Sequence, residues 1–253
     1  MLELWHEWNS VHSFKVRNVL AEKALEWKEH RVELLKLEQL RPEYLKLNPN
    51  AVVPTLVHDG RPVYESSIIC EYLDEAFPRQ RLMPQDLHAR AEARRWLKYH
   101  DEVAHAALRK VSLQLMFKPM LAKSRPEEAV LRRHPNPERA RSLRQSASQP
   151  IDHAAVDEAI AQCRRIAERI EGALGERPWL AGEVFGMADV AMAPFAERID
   201  NLDMRFVWKA QARAAAWAER ILARPSVRAS MAPAPYRLPP PSADVTKRIV
   251  AWN

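Results

Sequence analysis

The chain predicts two halves of different class: a small mixed α/β domain, then an all-helical one. Three observations carry this. Residues 1–77 alternate short apolar strand-like runs with helical stretches, and the alternation ends in a hairpin signal at Asp59-Gly60. From Pro84 onward no strand-like run appears, while helical periodicity recurs. A proline-rich stretch, FPRQRLMPQD, stands between them.

In order, Leu2 to Trp5 reads as a strand. Ser10 to Leu25 reads as a helix, with Phe14, Val16, Val19, Leu20 and Ala24 near one face. Trp27 to Val32 is a second strand, and Leu40 to Leu47 a short helix stopped by Asn48-Pro49-Asn50. Val52 to Val57 is a third strand opened by Pro54, where a proline requires a special local geometry. A cis Val53-Pro54 bond is the expected one, leaving the backbone of Val53 to a ligand rather than a neighbouring strand. Arg61 to Tyr64 is the fourth strand, and Ser66 to Phe77 a helix ended by Pro78. The order βαβ, short helix, ββα implies a small mixed sheet with helices on its faces.

Beyond it, Leu87 to Phe117 reads as one long helix that Pro119 closes or kinks. Residues 124–150 form a basic helix-plus-loop insertion. Ile151 to Leu174, Met187 to Asp203 and Gln211 to Ala223 are further helices. The expected division is 1–78, a linker at 79–86, a helical domain at 87–231 and an extended proline-rich tail at 232–253.

Composition excludes several classes. The 253 residues are 47% hydrophobic and 28% charged, as in globular proteins. No apolar run approaches a membrane span, and no basic-then-apolar leader opens the chain, so a cytoplasmic protein without membrane contact is expected. Two cysteines, Cys70 and Cys163, make no disulfide framework and no C-x-x-C. Five glycines write neither G-x-G-x-x-G nor a Walker loop. Residues 1–80 carry ten basic and thirteen acidic side chains, net −3, against +9 for the remainder. The excess is interleaved with acids, as in QCRRIAERIEGAL, which reads as solvated helix surface rather than a nucleic-acid face. His100 and His105, five apart on an α-helix, point about 140° away from each other, which disfavours a shared metal.

Two places could carry chemistry. Ser10 lies where the first strand meets the first helix. A hydroxyl there can cap the helix, or donate to an anion that also faces the free N–H groups and positive dipole end. A thiolate is such an anion: lowering a thiol pKa from roughly 8.5 by about two units takes about 2.7 kcal/mol. Glu65-Ser66 follows the fourth strand, where the pair can cap the next helix or receive the ammonium and carboxylate of an amino-acid-like ligand.

In combination, Ser10-Val11-His12-Ser13-Phe14-Lys15-Val16-Arg17, Asn48-Pro49, Val53-Pro54-Thr55-Leu56, Asp59-Gly60, Glu65-Ser66 and Ile69-Cys70-Glu71-Tyr72-Leu73 stand in one order at familiar spacings. This resembles the N-terminal domain of glutathione transferases, most closely the serine-type tau and zeta classes. The resemblance implies a thioredoxin-like fold followed by an all-helical domain, with glutathione as co-substrate. It implies Ser10 as the hydroxyl that activates the glutathione thiol, with Ser13 in reserve. Val53 with Pro54 would meet the cysteinyl unit, and Glu65 with Ser66 the γ-glutamyl end. The tau-type lysine before the Val-Pro pair is missing, Ala51 and Val52 standing there, so Lys36 and Lys46 become the candidates for the glycyl carboxylate. Leu180 to Asp189, LAGEVFGMAD, resembles the family's buried helix start, with Gly186 in place of the capping hydroxyl. WLKYHDE at 96–102 and the segment around His134 to Arg139 resemble bacterial F-type β-etherases.

The resemblance further implies a homodimer and an apolar, aromatic electrophile attacked by the thiolate, by conjugation or by ether cleavage. Trp8, Tyr99, Val103, Leu113, Met116, Phe117, Phe206 and Trp208 are the candidate lining of its pocket. Two other readings stand beside it: a non-catalytic binding or scaffold protein on the same fold, and a nucleic-acid-binding protein using the basic insertion at 124–150.

Overall fold

β1 (Leu2–His6) is the strand on which the α/β half is assembled, and its alternating burial puts Leu2, Leu4 and His6 on the inner face. The computed structural model describes residues 1–124 and 127–237. β2 (Lys28–Arg31) pairs parallel to β1; β3 (Thr55–His58) and β4 (Arg61–Tyr64) follow antiparallel, in the order β2-β1-β3-β4. The parallel pair requires a crossover, and α1 (Val11–Glu22) supplies it. Two 3₁₀ turns, Leu34–Lys36 and Glu38–Leu40, lead to α2 (Pro42–Leu47), and α3 (Ser66–Ala76) closes this half. Strand β3 starts at Thr55, three residues after the start of the expected run at Val52, and the Val53–Pro54 peptide is cis.

The helical half begins at α4 (Leu87–Tyr99) and continues without a break through α5 (His105–Ser112) to α6 (Lys118–Ser124). Of the two expectations for Pro119, closing or kinking the helix, closing does not occur. Two π-helical stretches, His100–Ala104 and Leu113–Phe117, interrupt the α pitch instead. The second directly precedes α6. The insertion folds as α7 (Glu128–Leu131) and α8 (Pro137–Ser148), with residues 125–126 outside the described set. α9 (His153–Leu174), α10 (Met187–Asn201) and α11 (Ala212–Ala223) follow, then an unexpected short helix α12 (Pro225–Ser230), begun by the proline that ends α11. Of the proline-rich tail, Ala234–Tyr236 form a 3₁₀ turn, and residues 238–253 lie outside the described residues.

One hydrophobic core runs through both halves, from Leu4 and Leu56 under the sheet to Phe195 and Trp217 in the bundle. The connecting segment is part of it. Leu82 and Met83 are buried, their N–H groups held by the Asp74 carboxylate at 2.8 and 3.0 Å. Asp74 in turn pairs with buried Lys23 at 2.8 Å. A separate cluster packs Leu131, Val130 and Leu143 of the insertion on Leu37, Leu40, Leu45 and Ala51 of the α/β half. The insertion therefore bridges the two halves.

At the start of α10, Asp189 accepts from the backbone N–H of Leu180 and Gly186 and from Trp217 Nε1, at 3.0, 3.1 and 2.9 Å. A Cβ on Gly186 would stand 2.9 Å from the carbonyl oxygen of Leu82. That contact is the physical reason a glycine replaces the capping hydroxyl.

Candidate functional site

The site is built around the N-terminus of α1. Ser10 is the N-cap: its Oγ accepts the Ser13 N–H at 3.2 Å, and its backbone is extended. A hydroxyl that accepts there still has its proton to donate. The loop before it is fixed from three sides. Buried Arg17 lies 4.5 Å over the Trp8 ring and donates to the carbonyls of Glu7, Trp8 and Ser230. Arg198 donates to the Asn9 carbonyl at 2.7 Å, and Asn9 Nδ2 to the Tyr236 carbonyl at 2.8 Å. The helical half and the C-terminal segment thus hold the residue that precedes Ser10. Ser13 lies fully buried one turn in, and its Oγ has no partner among the described residues.

Val53 is nearly buried. No hydrogen-bond partner of its backbone N–H or C=O is present among the described residues. The neighbouring Val52 carbonyl is taken by Tyr44 Oη and Asn48 Nδ2, at 2.5 and 3.0 Å. Glu65 sits at φ 70°, a conformation rare for a residue with a side chain, and Asn50 Nδ2 donates to its carboxylate at 3.0 Å. Ser66 opens α3, with its Oγ 3.1 Å from His12 Nδ1. Lys36 is paired with Glu33 at 2.9 Å.

A polar cluster beside Ser66 was not expected from the sequence. Lys15, fully buried, donates to Asp101 Oδ1 at 2.8 Å and to Ser67 Oγ at 2.7 Å; Ser67 donates to Asp101 Oδ2 at 2.5 Å. The His12 ring lies 4.0 Å from His105 and 5.4 Å from His100. The expectation that His100 and His105 diverge is therefore corrected. The His100–Ala104 stretch is π-helical, and a hydrogen bond from residue i+5 to residue i sets residues five apart above one another.

Burial, then neighbouring positive charge, depresses the basicity of these rings: His100 to about 4, His105 to about 3, and His12 well below its usual value. Burial opposes the charge of Asp101, but hydrogen bonds from His100, Lys15 and Ser67 and the Lys15 charge hold its carboxyl far below the usual range. His12, His100 and Asp101 offer ligand atoms within 4.8 Å of one another. The Lys15 ammonium, 2.8 Å from Asp101, already fills the cation position there.

Four residues of the expected apolar lining have ring contacts of their own. Trp208 packs edge-on to Phe195 in the bundle, Phe206 lies under Arg164, and Trp8 stacks on Tyr236. Tyr99 carries Arg169 over its face. Open grooves of about 500 and 530 Å³ lie over α10, the 3₁₀ turn Arg205–Trp208, α11 and the C-terminal segment, and neither contains Ser10, Val53 or Ser66. Cys70 and Cys163 are buried, their thiols pushed up to about 12, and are inert.

A four-stranded α/β half with a helix-capping serine after β1, a cis X-Pro bond before β3 and an acidic-hydroxyl pair after β4, joined to a helical bundle, defines a two-domain class. Residues 9–76 match the family described as "Glutathione S-transferase, N-terminal domain", and residues 154–220 the matching "C-terminal domain". The chain is 30% identical to Protein LigF of Sphingobium sp. over 90% of its own length and 91% of that relative's. It is 27% identical to "Probable glutathione S-transferase parC" of Nicotiana tabacum over 88% and 86%. The crystal structure titled β-etherase LigF from Sphingobium sp. superposes with a TM-score of 0.81 at 28% identity, covering 90% of this chain and 98% of that one. The chain belongs to the glutathione S-transferase family.

Proposed function

We propose that the protein is a glutathione transferase in which the Ser10 hydroxyl donates a hydrogen bond to the glutathione sulfur and so stabilises its thiolate. The observation that carries this reading is Ser10 at the positive end of α1; the backbone of Val53, next to the cis proline and without a hydrogen-bond partner among the described residues, supports it. The helix end and a charge-assisted hydrogen bond together supply the order of energy that thiolate formation needs, about 2.7 kcal/mol. The Val53 N–H and C=O suit an extended peptide laid beside them. Glu65 is placed for the ammonium of the γ-glutamyl end, and Ser66 with the first N–H groups of α3 for its carboxylate. The thiol proton leaves to solvent as the thiolate forms; the thiolate then attacks an apolar aromatic electrophile, forming a carbon–sulfur bond while the leaving group, such as the chloride of an aryl chloride, departs as an anion. The active protein is a cytoplasmic homodimer.

A second reading shares every step up to the attack: the thiolate displaces a phenolate from an aryl ether. Similarity to LigF, whose crystal structure is titled a β-etherase, favours it. Retention on immobilised glutathione, then turnover of 1-chloro-2,4-dinitrobenzene against a β-aryl ether with a fluorescent phenol, separates the cases. Release of the phenol with little conjugation selects ether cleavage. Retention without turnover of either substrate indicates a binding protein, and absence of retention ends the reading.

A further inference from the structure

Two residues past Ser10, His12 brings its Nδ1 to 3.1 Å from Ser66 Oγ. The same nitrogen lies 3.8 Å from Asp101 Oδ1, too far for a hydrogen bond but near enough to feel its charge. The ring is held in that pose by two others. His105 lies against it at 4.0 Å between centroids, and His100 meets it edge-on at 5.4 Å. His100 and Asp101 open the π-helical stretch and His105 directly follows it. Turns of this wide pitch are frequent at functional sites. This one sets three polar side chains of the helical half around one imidazole of the α/β half.

A hydrogen bond between an imidazole and a hydroxyl can run either way. If Ser66 donates, it keeps only lone pairs for whatever binds at the start of α3. If Nδ1–H donates, Ser66 accepts, and its own proton stays free for a ligand. Asp101 decides between the two. Its Oδ1 accepts from Lys15 at 2.8 Å and from His100 at 3.2 Å, and its Oδ2 accepts from Ser67. Paired in this way it is an ionised carboxylate, which can only accept. A lone pair on His12 Nδ1 would be repelled by that charge, whereas an N–H is attracted. An imidazolium also carries a proton on Nδ1, so the direction is the same in either charge state.

We infer that His12 is a positioning residue for Ser66: its Nδ1–H, oriented by Asp101, holds the buried Ser66 hydroxyl as a donor to the α-carboxylate of the γ-glutamyl end. The transferase reading supplies the identity of that carboxylate. His12, Asp101 and the π-helical stretch add what readies Ser66 for it.

The test compares glutathione with γ-aminobutyryl-cysteinylglycine, which lacks only the α-carboxylate, by calorimetry on the whole protein. His12→Asn keeps an N–H close to the place of Nδ1, and His12→Gln carries its amide out to the place of Nε2. The two variants therefore differ in where the donor stands and not in polarity. The wild type prefers glutathione. That preference falls about tenfold in His12→Gln and His12→Leu, and stays within about threefold of the wild type in His12→Asn. In turnover the change falls on KM for glutathione more than on kcat. A histidine that only packs would weaken both ligands equally. An undiminished preference in His12→Gln, or equal losses in the Asn and Gln variants, overturns the assignment. So does a preference that rises in His12→Leu, the result expected if Ser66 donates to the ring. Should His12→Leu fail to fold, the Asn and Gln pair, checked by melting temperature, decides alone. A wild type that binds both ligands alike overturns the assignment and leaves the role of Ser10 standing. A wild type that binds neither removes the transferase reading, and the assignment with it.

Discussion

Lys15 Nζ lies 2.8 Å from Asp101 Oδ1, and that contact joins the first helix of the α/β half to the long helix of the other half. The Lys15 side chain is wholly buried, whereas Asp101 keeps 35% exposure. Removing the lysine strands a half-desolvated carboxylate that Ser67 and His100 alone must satisfy. Lys15→Met is expected to cost about 2 to 3 kcal/mol, below the usual value for a fully buried pair because water still reaches Asp101. Adding Asp101→Leu recovers part of the loss. Urea unfolding of the three variants checks this. A single variant as stable as the wild type would show that the pair holds nothing.

Ser10 and Ser13 are separated by one hydrogen bond and by burial. Ser10→Ala is expected to retain the fold, losing about 1 kcal/mol of capping, and to retain glutathione binding. It loses roughly a hundredfold in turnover, the equivalent of about 2.7 kcal/mol. The ultraviolet absorbance of bound thiolate, titrated against pH, moves towards the free thiol's value. Ser13→Ala, with an unpartnered buried hydroxyl, leaves that titration in place. The opposite pattern transfers the role to Ser13.

Much of the fold was legible because local signals agreed. Asp59-Gly60 set the β3–β4 hairpin, and β4 begins and ends where its alternation does. Ser10 was readable as a helix start because its capping role is local. What escaped the sequence depends on contacts distant in the chain. The π-helical turn that brings His100 and His105 onto His12 has no composition signal, and the α-helical spacing gave the wrong angle. The buried Lys15–Asp101–Ser67 cluster joins three helices, and nothing in the local pattern of any one of them announces it. Whether Pro119 closes or only kinks the helix was open in the sequence, because the change of pitch before it carries no local signal.

Stability is expected to fall on acidification, with His6 as a main cause. His6 is fully buried; its Nδ1 accepts from Arg17 at 3.0 Å, so its Nε2–H donates to Glu29 at 3.1 Å. Burial first, then the Arg17 and Arg31 charges, lowers its pKa to about 3. Between about 3 and the unfolded value near 6.5 the unfolded chain binds the extra proton. Its contribution is therefore complete above about pH 6.5 and is lost as pH falls through that window, by up to about 1.4 kcal/mol per pH unit. His100 and His105 act in the same direction. His6→Gln should melt lower at pH 7.5 yet show a shallower decline between pH 6 and pH 4. Parallel curves for the two proteins would remove His6 from the account.

Gly186 sets two effects against each other. As the residue before α10 it would gain a few tenths of a kcal/mol from a capping hydroxyl. Yet its Cβ would stand 2.9 Å from the Leu82 oxygen, closer than side-chain carbons approach. Leu82 has no freedom to retreat. Its carbonyl accepts from Met187 N–H at 2.8 Å, its N–H is held by Asp74, and Asp74 is paired with Lys23. Overpacking of this kind costs typically 1–3 kcal/mol, so the steric term wins. Gly186→Ser is expected to lower stability by about 1 to 2 kcal/mol, and trypsin should cut faster at exposed Arg81, next to the displaced Leu82. A higher melting temperature with unchanged cleavage would mean that the connecting segment yields, and that a missing hydroxyl at this helix start has some other cause.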